Sequence, residues 1–172
     1  MPVQKLPRPL TNKIQLSLHI RHPSLQPEEI SKEMRWLPVD SFAVGEPCQA
    51  SIGSGTELAP RLHTESYWVA TLDAAFLSRH SVTRSRTASR RSVQISDETL
   101  RILASSESTE SFITLACSSL LRHASFFESI RNSGGSAKLI VTMVEPTLRI
   151  PPEVSRRLAD LGITLEAEFV SR

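Results

Sequence analysis

The sequence has few of the residues that mark secreted, metal-binding or membrane-spanning proteins. It has only two cysteines in 172 residues, Cys48 and Cys117, and they form no CxxC pair. No stretch approaches the ~20 consecutive apolar residues of a membrane span. The first ten residues also lack the hydrophobic run of a secretory signal. We therefore expect a cytoplasmic protein with free, reduced thiols and no membrane attachment.

Motifs for catalysis and phosphate binding are also missing. The glycines between residues 41 and 62 lack the preceding strand, the following helix and the lysine of a phosphate cradle. His19 and His22 end a predicted strand, and we expect them to be ordinary surface histidines rather than metal ligands. Cys117 and His123 are six apart, which on a helix points them to different faces, so no Cys–His nucleophile pair is predicted. The sequence thus favours a protein without catalytic residues, metal or cofactor.

The positive charge is concentrated in one segment. The net charge is +2, and five arginines without any acidic residue fall within about 75–95. They are Arg79, Arg84, Arg86, Arg90 and Arg91. Without them the chain has 15 basic and 18 acidic residues, so the remainder is mildly acidic. We interpret the segment as an exposed Arg/Ser-rich loop. Its contact with an anionic partner such as nucleic acid is the least favoured function, since nucleic-acid binders usually spread basic residues over a folded face.

Two segments alternate strictly between apolar and polar residues, which indicates strands packed on a core by one face. These are residues 13–21 and the chain end from Ile163 to Val170. Two further segments, residues 67–72 and 137–144, are rich in aromatic and β-branched residues and are predicted as interior strands.

Helices are predicted where proline or a capping residue precedes an apolar stripe. Pro27 and Pro152 each precede glutamate and suit the first helical position, where the missing N–H is not needed. A short helix follows Ser96, and the clearest amphipathic helix runs from Ser108 to the glycines at 134–135. The stripe of the latter is Phe112, Leu115, Ala116, Leu120 and Phe127.

The length and composition predict one globular domain over residues 1–172, with 1–12 as a proline-containing leader. The predicted elements run approximately β-α-β-α-β-α-β. We therefore predict an α+β fold, a two-layer ferredoxin-like sandwich whose mainly antiparallel sheet carries its helices on one face. A doubly wound parallel sheet is the alternative, and the one-sided alternation of the first and last strands argues against it.

Several landmarks together resemble the bacterial family catalogued as domain of unknown function 4279. The resemblance is carried by the opening strand, Pro27-Glu28-Glu29-Ile30, Leu37-Pro38, Gly45-Glu46, Tyr67-Trp68, the helix end from Phe127 to Gly135, and Leu158-Ala159-x-Leu161-Gly162. It spans most of the chain except about 74–107. The family supplies no catalytic residues, and some members look like immunity or partner-binding proteins of toxin systems.

One position departs from that family. Its members tend to have glycine at the end of the first helix, where this sequence has Arg35. Either the helix ends by a different turn, or arginine adopts the left-handed conformation at a cost of roughly 1 kcal/mol.

Three large aromatics, Trp36, Tyr67 and Trp68, are the candidate ligand or partner pocket. The favoured function is a non-catalytic protein-interaction module, which binds a partner or a second copy through exposed strand edges. The alternative is a small-molecule-binding domain or enzyme, with a pocket between the sheet and the loop at 41–62.

Overall fold

The computed structural model describes residues 14–48, 61–72, 109–144 and 149–170. Within these ranges the strands are β1 (Ile14–His22), β2 (Asp40–Phe42), β3 (Ser66–Thr71), β4 (Ser136–Met143) and β5 (Ile163–Phe169). The helices are α1 (Pro27–Met34), α2 (Thr109–Leu120), α3 (Ala124–Asn132) and α4 (Pro152–Leu161). The predicted leader, the Arg/Ser-rich loop with its five arginines, and the short helix after Ser96 lie outside the described residues.

The five strands form one sheet in the order β2-β3-β1-β4-β5. Neighbouring strands are antiparallel except β4 and β5, which are parallel. Parallel neighbours require a crossover connection, and α4 lies in the chain between β4 and β5. Among the described strands, β2 is the outer one on one side of the sheet and β5 on the other.

The alternation of β1 decides which side of the sheet meets the core. Leu18 pairs with Ala70 of β3 and Leu139 of β4, and Leu139 pairs with Leu165 of β5, so one apolar row crosses four strands. Buried residues of all four helices belong to the same core cluster as this row. The other side, which we call the open face, carries Ser17, His19, Arg21 and Tyr67.

The structure therefore confirms an α+β fold with a mainly antiparallel sheet and its described helices on one face. The described elements from β1 to β4 follow a β-α-β-β-α-α-β order. The fifth strand, β5, follows α4 and pairs in parallel with β4 at the edge of the sheet. The finer assignment to the ferredoxin-like topology stays a prediction.

Two elements differ from the sequence prediction. The three-residue strand β2 was missed, because so short a segment carries no periodicity. The single long helix predicted from Ser108 is wrong, since a 3₁₀ turn at Leu121–His123 separates α2 from α3. The hydroxyls of Ser118 and Ser119 donate to the carbonyls of Thr114 and Leu115 just before this break. Such bonds compete with the helical ladder and bend helices.

The end of α1 resolves the question raised by Arg35. Its backbone is left-handed, with φ 55° and ψ 35°, and it is the only non-glycine residue with positive φ in the described part of the chain. The next amide, of Trp36, donates to the carbonyl of Ser31 at 3.2 Å. Arginine thus occupies a position where glycine would cost about 1 kcal/mol less. By contrast, α4 ends at Gly162, with φ 67°.

The prediction of a surface histidine is wrong for His22, which is only 4% exposed. The strict alternation of β1 continues by one residue, so His22 falls on the core face after Ile20. Its Nδ1 accepts the backbone amides of Ser24 at 3.1 Å and Leu25 at 2.7 Å. Nε2 lies 2.8 Å from the hydroxyl of Ser133. Because Nδ1 is an acceptor, the imidazole is neutral and carries its proton on Nε2.

We predict that His22 makes the protein less stable in acid. Burial lowers the pKa of His22 below its usual 6.5. The unfolded chain therefore binds the proton more readily, and the free energy of unfolding rises with pH between the two pKa values. The stabilisation is complete above pH 6.5 and is lost as pH falls through the folded pKa. Urea unfolding from pH 5 to pH 8 measures this slope.

The matched control is His22→Gln, which has no titrating group. We expect it to be less stable at pH 8, and the difference from wild type to shrink as pH falls. Because His19 also has a lowered pKa, the difference between the two profiles isolates His22. A difference that is constant over this pH range would contradict the assignment of Nδ1 as an acceptor.

Candidate functional site

A groove runs between α1 and the edge strand β2 on the helix side of the sheet. It has a volume of about 500 Å³. Its wall along α1 is formed by Pro27, Glu28, Ser31, Lys32 and Arg35, and its remaining lining by Trp36, Leu37, Pro38 and Ser41. The volume falls within the range of roughly 300–1,000 Å³ found for ligand sites. We call this feature the α1/β2 groove.

The segment that enters β2 exposes two large apolar side chains beside the groove. Leu37 is 88% exposed and Val39 is 67% exposed, and they are the most exposed large apolar residues in the described part of the chain. The backbone amide of Val39 donates inward to the carbonyl of Val69 at 2.7 Å. On its other side β2 has no paired strand among the described residues. An unpaired strand edge with exposed apolar side chains is a template for another strand.

The three aromatics predicted as a pocket do not form one cluster. Trp36 and Trp68 lie together on the helix side, with ring centroids 6.3 Å apart and an angle of 26° between the ring planes. Trp68 is fully buried, and its Nε1 donates to the hydroxyl of Ser31 at 2.9 Å. Tyr67 points to the opposite, open face. Of the three, Trp36 lines the α1/β2 groove and Tyr67 lines a second cavity.

Tyr67 belongs to a column of stacked rings on the open face. Phe42 stacks on His63 with centroids 3.7 Å apart and on Tyr67 with centroids 5.1 Å apart. The guanidinium carbon of Arg21 lies 5.4 Å from the centre of the Tyr67 ring. These residues, with Thr64, Glu65 and Ser66, line a cavity of about 210 Å³. This cavity is smaller than ordinary small-molecule sites.

A hydrogen-bonded chain crosses the open face from Ser17 through His19 to Tyr67. The Ser17 hydroxyl lies 2.9 Å from Nε2 of His19, and Nδ1 of His19 lies 2.7 Å from the Tyr67 hydroxyl. Burial lowers the pKa of His19 and raises the pKa of Tyr67, so both groups are neutral near pH 7. Acyl transfer at Ser17 would also need unpaired amide donors for an oxyanion. Ser17 lies in the interior strand β1, which pairs with β3 on one side and with β4 on the other. The backbone beside the Ser17 hydroxyl is therefore already paired.

The two cysteines are free and differ in environment. Sγ of Cys48 lies 3.6 Å from Nδ1 of His63 on the half-buried connection beside β2. Cys117 is fully buried in α2, and burial raises its pKa to about 11. His123 lies near Trp36, with ring centroids 5.8 Å apart. No group of three or more metal-binding side chains occurs in the described ranges.

The opposite sheet edge, β5, carries acidic residues. Glu166 and Glu168 project from the open face. The Lys138 ammonium donates a hydrogen bond of 3.1 Å to Oε2 of Glu166. Phe169 at the end of the strand is 56% exposed. Charged side chains on an edge strand discourage pairing with another chain. The edge strand β2 carries one charged side chain, Asp40, in its three residues.

Sequence reasoning missed Leu37, Val39 and the groove-facing residues of α1. Leu37-Pro38-Val39 places two apolar residues around a proline, directly before an irregular segment, and this was the available signal. The stripe of Glu28, Lys32 and Arg35 is visible at helical spacing, but a charged stripe is the ordinary pattern of a solvated helix face.

Comparisons of the chain with protein-family models, with curated proteins and with solved structures give no match. The resemblance to the family of domain 4279 stays a prediction. Among the helices that the structure describes, none has the length and apolarity needed to cross a membrane.

Proposed function

We propose that this protein is a non-catalytic protein-interaction module that receives an extended peptide segment of a partner as an added strand on the β2 edge. The added strand lies in the α1/β2 groove, with its backbone paired to β2 and alternate side chains directed toward α1. Backbone pairing contributes affinity, and the groove contributes specificity.

One observation carries the proposal: Leu37 and Val39 are exposed beside an open groove and beside an edge strand, β2, that has no outer neighbour among the described residues. Solvent-exposed apolar side chains at such an edge favour pairing with another chain unless charge or shape prevents it. The only charged residue in β2 is Asp40. Its partner in the register is Val69 of the open face, so Asp40 does not project toward the groove.

The proposal favours a partner peptide over a second copy of this chain. Self-association through β5 would bring Glu166 and Glu168 of two chains together, and like charges facing each other across strands are destabilising. Self-association through β2 has only three residues per chain to pair. A longer extended peptide gains contacts along α1 as well as along β2.

The test is selection of eight-residue peptides from a random display library against the immobilised protein. We expect enrichment of peptides that bind wild type and lose at least about tenfold affinity for Leu37→Asp/Val39→Asp. Peptide binding would remove water from the two new carboxylates. This desolvation costs more than about 1.4 kcal/mol, which is a factor of ten in affinity. Both positions are exposed, so the variant should unfold within about 0.5 kcal/mol per substitution of wild type.

The matched control is Phe169→Asp, at the end of the opposite edge. Its side chain is 56% exposed, and we expect it to leave peptide affinity unchanged. Peptides that bind all three proteins equally, or that lose affinity only for Phe169→Asp, would show that the β2 edge is not the docking site.

The small-molecule alternative is favoured by the ring column of His63, Phe42 and Tyr67 beside Arg21. A planar anion of a few heavy atoms matches the cavity of about 210 Å³. Screening such compounds by ligand-observed NMR tests this second candidate, with Arg21→Gln as the variant that should lose the signal.

A further inference from the structure

We infer that the partner segment carries an acidic side chain at the position that faces Lys32 and Arg35. A basic side chain two residues away faces Glu28. The inference rests on the proposed function and specifies the chemistry of the peptide in the α1/β2 groove.

The charges of α1 that line the groove are ordered along the helix. Glu28 lies in the first turn, Lys32 one turn later, and Arg35 at the C-cap. A rise of 1.5 Å per residue places Lys32 about 6 Å and Arg35 about 10 Å from Glu28 along the axis. The groove wall therefore has an acidic end with one charge, Glu28, and a basic end with two charges, Lys32 and Arg35.

An extended peptide matches this spacing. Side chains on one face of a strand recur every two residues, which is about 6.8 Å. That repeat is close to the separation between Glu28 and Lys32. An acidic residue and a basic residue two positions apart therefore meet opposite charges on α1, and the reverse order places like charges together.

The conformation of Arg35 is independent support. It holds a left-handed backbone at φ 55°, a conformation that glycine adopts with less strain. Strained residues of this kind cluster at ligand-binding positions. Arg35 also lines the groove. A role of the Arg35 guanidinium in peptide binding explains why arginine, which is strained in this conformation, occupies a position that suits glycine.

A side-chain carboxylate fits the basic end better than a peptide C-terminus does. Capture of a C-terminal carboxylate uses free backbone amides. At this end the amide of Trp36 is bonded to the carbonyl of Ser31, the amide of Val39 is bonded to Val69, and Pro38 has none. The positively charged donors in the groove wall are the side chains of Lys32 and Arg35.

The experiment uses the display library, with Arg35→Gly and Arg35→Gln as variants. We expect Asp or Glu to be enriched at one position of the groove-dependent peptides, with Lys or Arg two residues away. Replacing that acidic residue by its amide should weaken binding about three- to tenfold, measured by fluorescence anisotropy. The loss should diminish as salt is raised from 0.05 to 0.5 M.

The two variants separate recognition from folding. Arg35→Gly should raise the urea midpoint, because it relieves the left-handed backbone, and yet bind the acidic peptide about three- to tenfold more weakly. Arg35→Gln keeps the backbone conformation and should weaken binding equally without the gain in stability. Both should bind the amide peptide like wild type.

The outcomes are distinguishable. Groove-dependent peptides without acidic enrichment, or peptides whose C-terminal amidation rather than their Glu→Gln change abolishes binding, overturn this inference and leave the proposed function standing. If no selected peptide depends on Leu37 and Val39, the proposed function fails, and this inference fails with it.

Discussion

Replacing Trp68 by alanine should cost about 3–5 kcal/mol of the free energy of unfolding, a large share of the roughly 5–15 kcal/mol that stabilises an ordinary domain. Trp68 is fully buried in the interior strand β3 and packs on Trp36. Alanine leaves a cavity that surrounding side chains fill only partly. Urea unfolding followed by far-UV circular dichroism measures the change.

The control for this prediction is Trp68→Phe. It keeps most of the buried ring area but removes the hydrogen bond from Nε1 to the hydroxyl of Ser31. We expect a loss of about 1–2 kcal/mol, from the missing bond and the smaller ring. A loss below 1 kcal/mol for Trp68→Ala would mean that Trp68 does not lie in the core.

Gly135→Ala is the second large effect, with an expected cost of about 3 kcal/mol. A methyl group at Gly135 would lie 2.5 Å from Cδ2 of His22, 2.8 Å from Cγ2 of Ile130 and 2.9 Å from the carbonyl oxygen of Arg21. The Arg21 oxygen belongs to the backbone of β1 and cannot move away alone. The change should appear in thermal and urea unfolding.

Gly45→Ala provides the comparison. Gly45 has φ 83°, and a methyl group there would meet nothing within 4 Å. Its expected cost is the conformational one of about 1 kcal/mol. If Gly135→Ala proved no more costly than Gly45→Ala, the close approach of β1 to the start of β4 would be wrong.

Local signals predicted most of the fold. The alternation of β1 and β5 and the Pro-Glu starts of α1 and α4 depend on neighbouring residues, and the structure has all four elements. The strand β2 is different, because its three residues are extended through pairing with Tyr67, Trp68 and Val69 of β3. Nothing within Asp40–Phe42 specifies that pairing, so sequence reasoning had no signal for it.

The candidate site could be predicted only in part. Trp36 was singled out and does line the α1/β2 groove, whereas Trp68 is core and Tyr67 lies on the open face. The groove exists because β2 stands beside α1, and this depends on the missed strand. Exposure of Leu37 and Val39 is likewise a tertiary property, since their apolar character alone favours burial. His22 is buried because β1 extends to residue 22 and keeps its alternation, and the sequence did not show where the strand ends.

The most direct measurement is amide hydrogen exchange of the protein with and without a selected peptide, read residue by residue by NMR. Docking on the β2 edge predicts slower exchange and shifted resonances in Leu37 to Phe42 and along α1, with β5 unchanged. Changes confined to β5, or to Arg21, His63 and Tyr67 on the open face, would contradict strand addition in the α1/β2 groove.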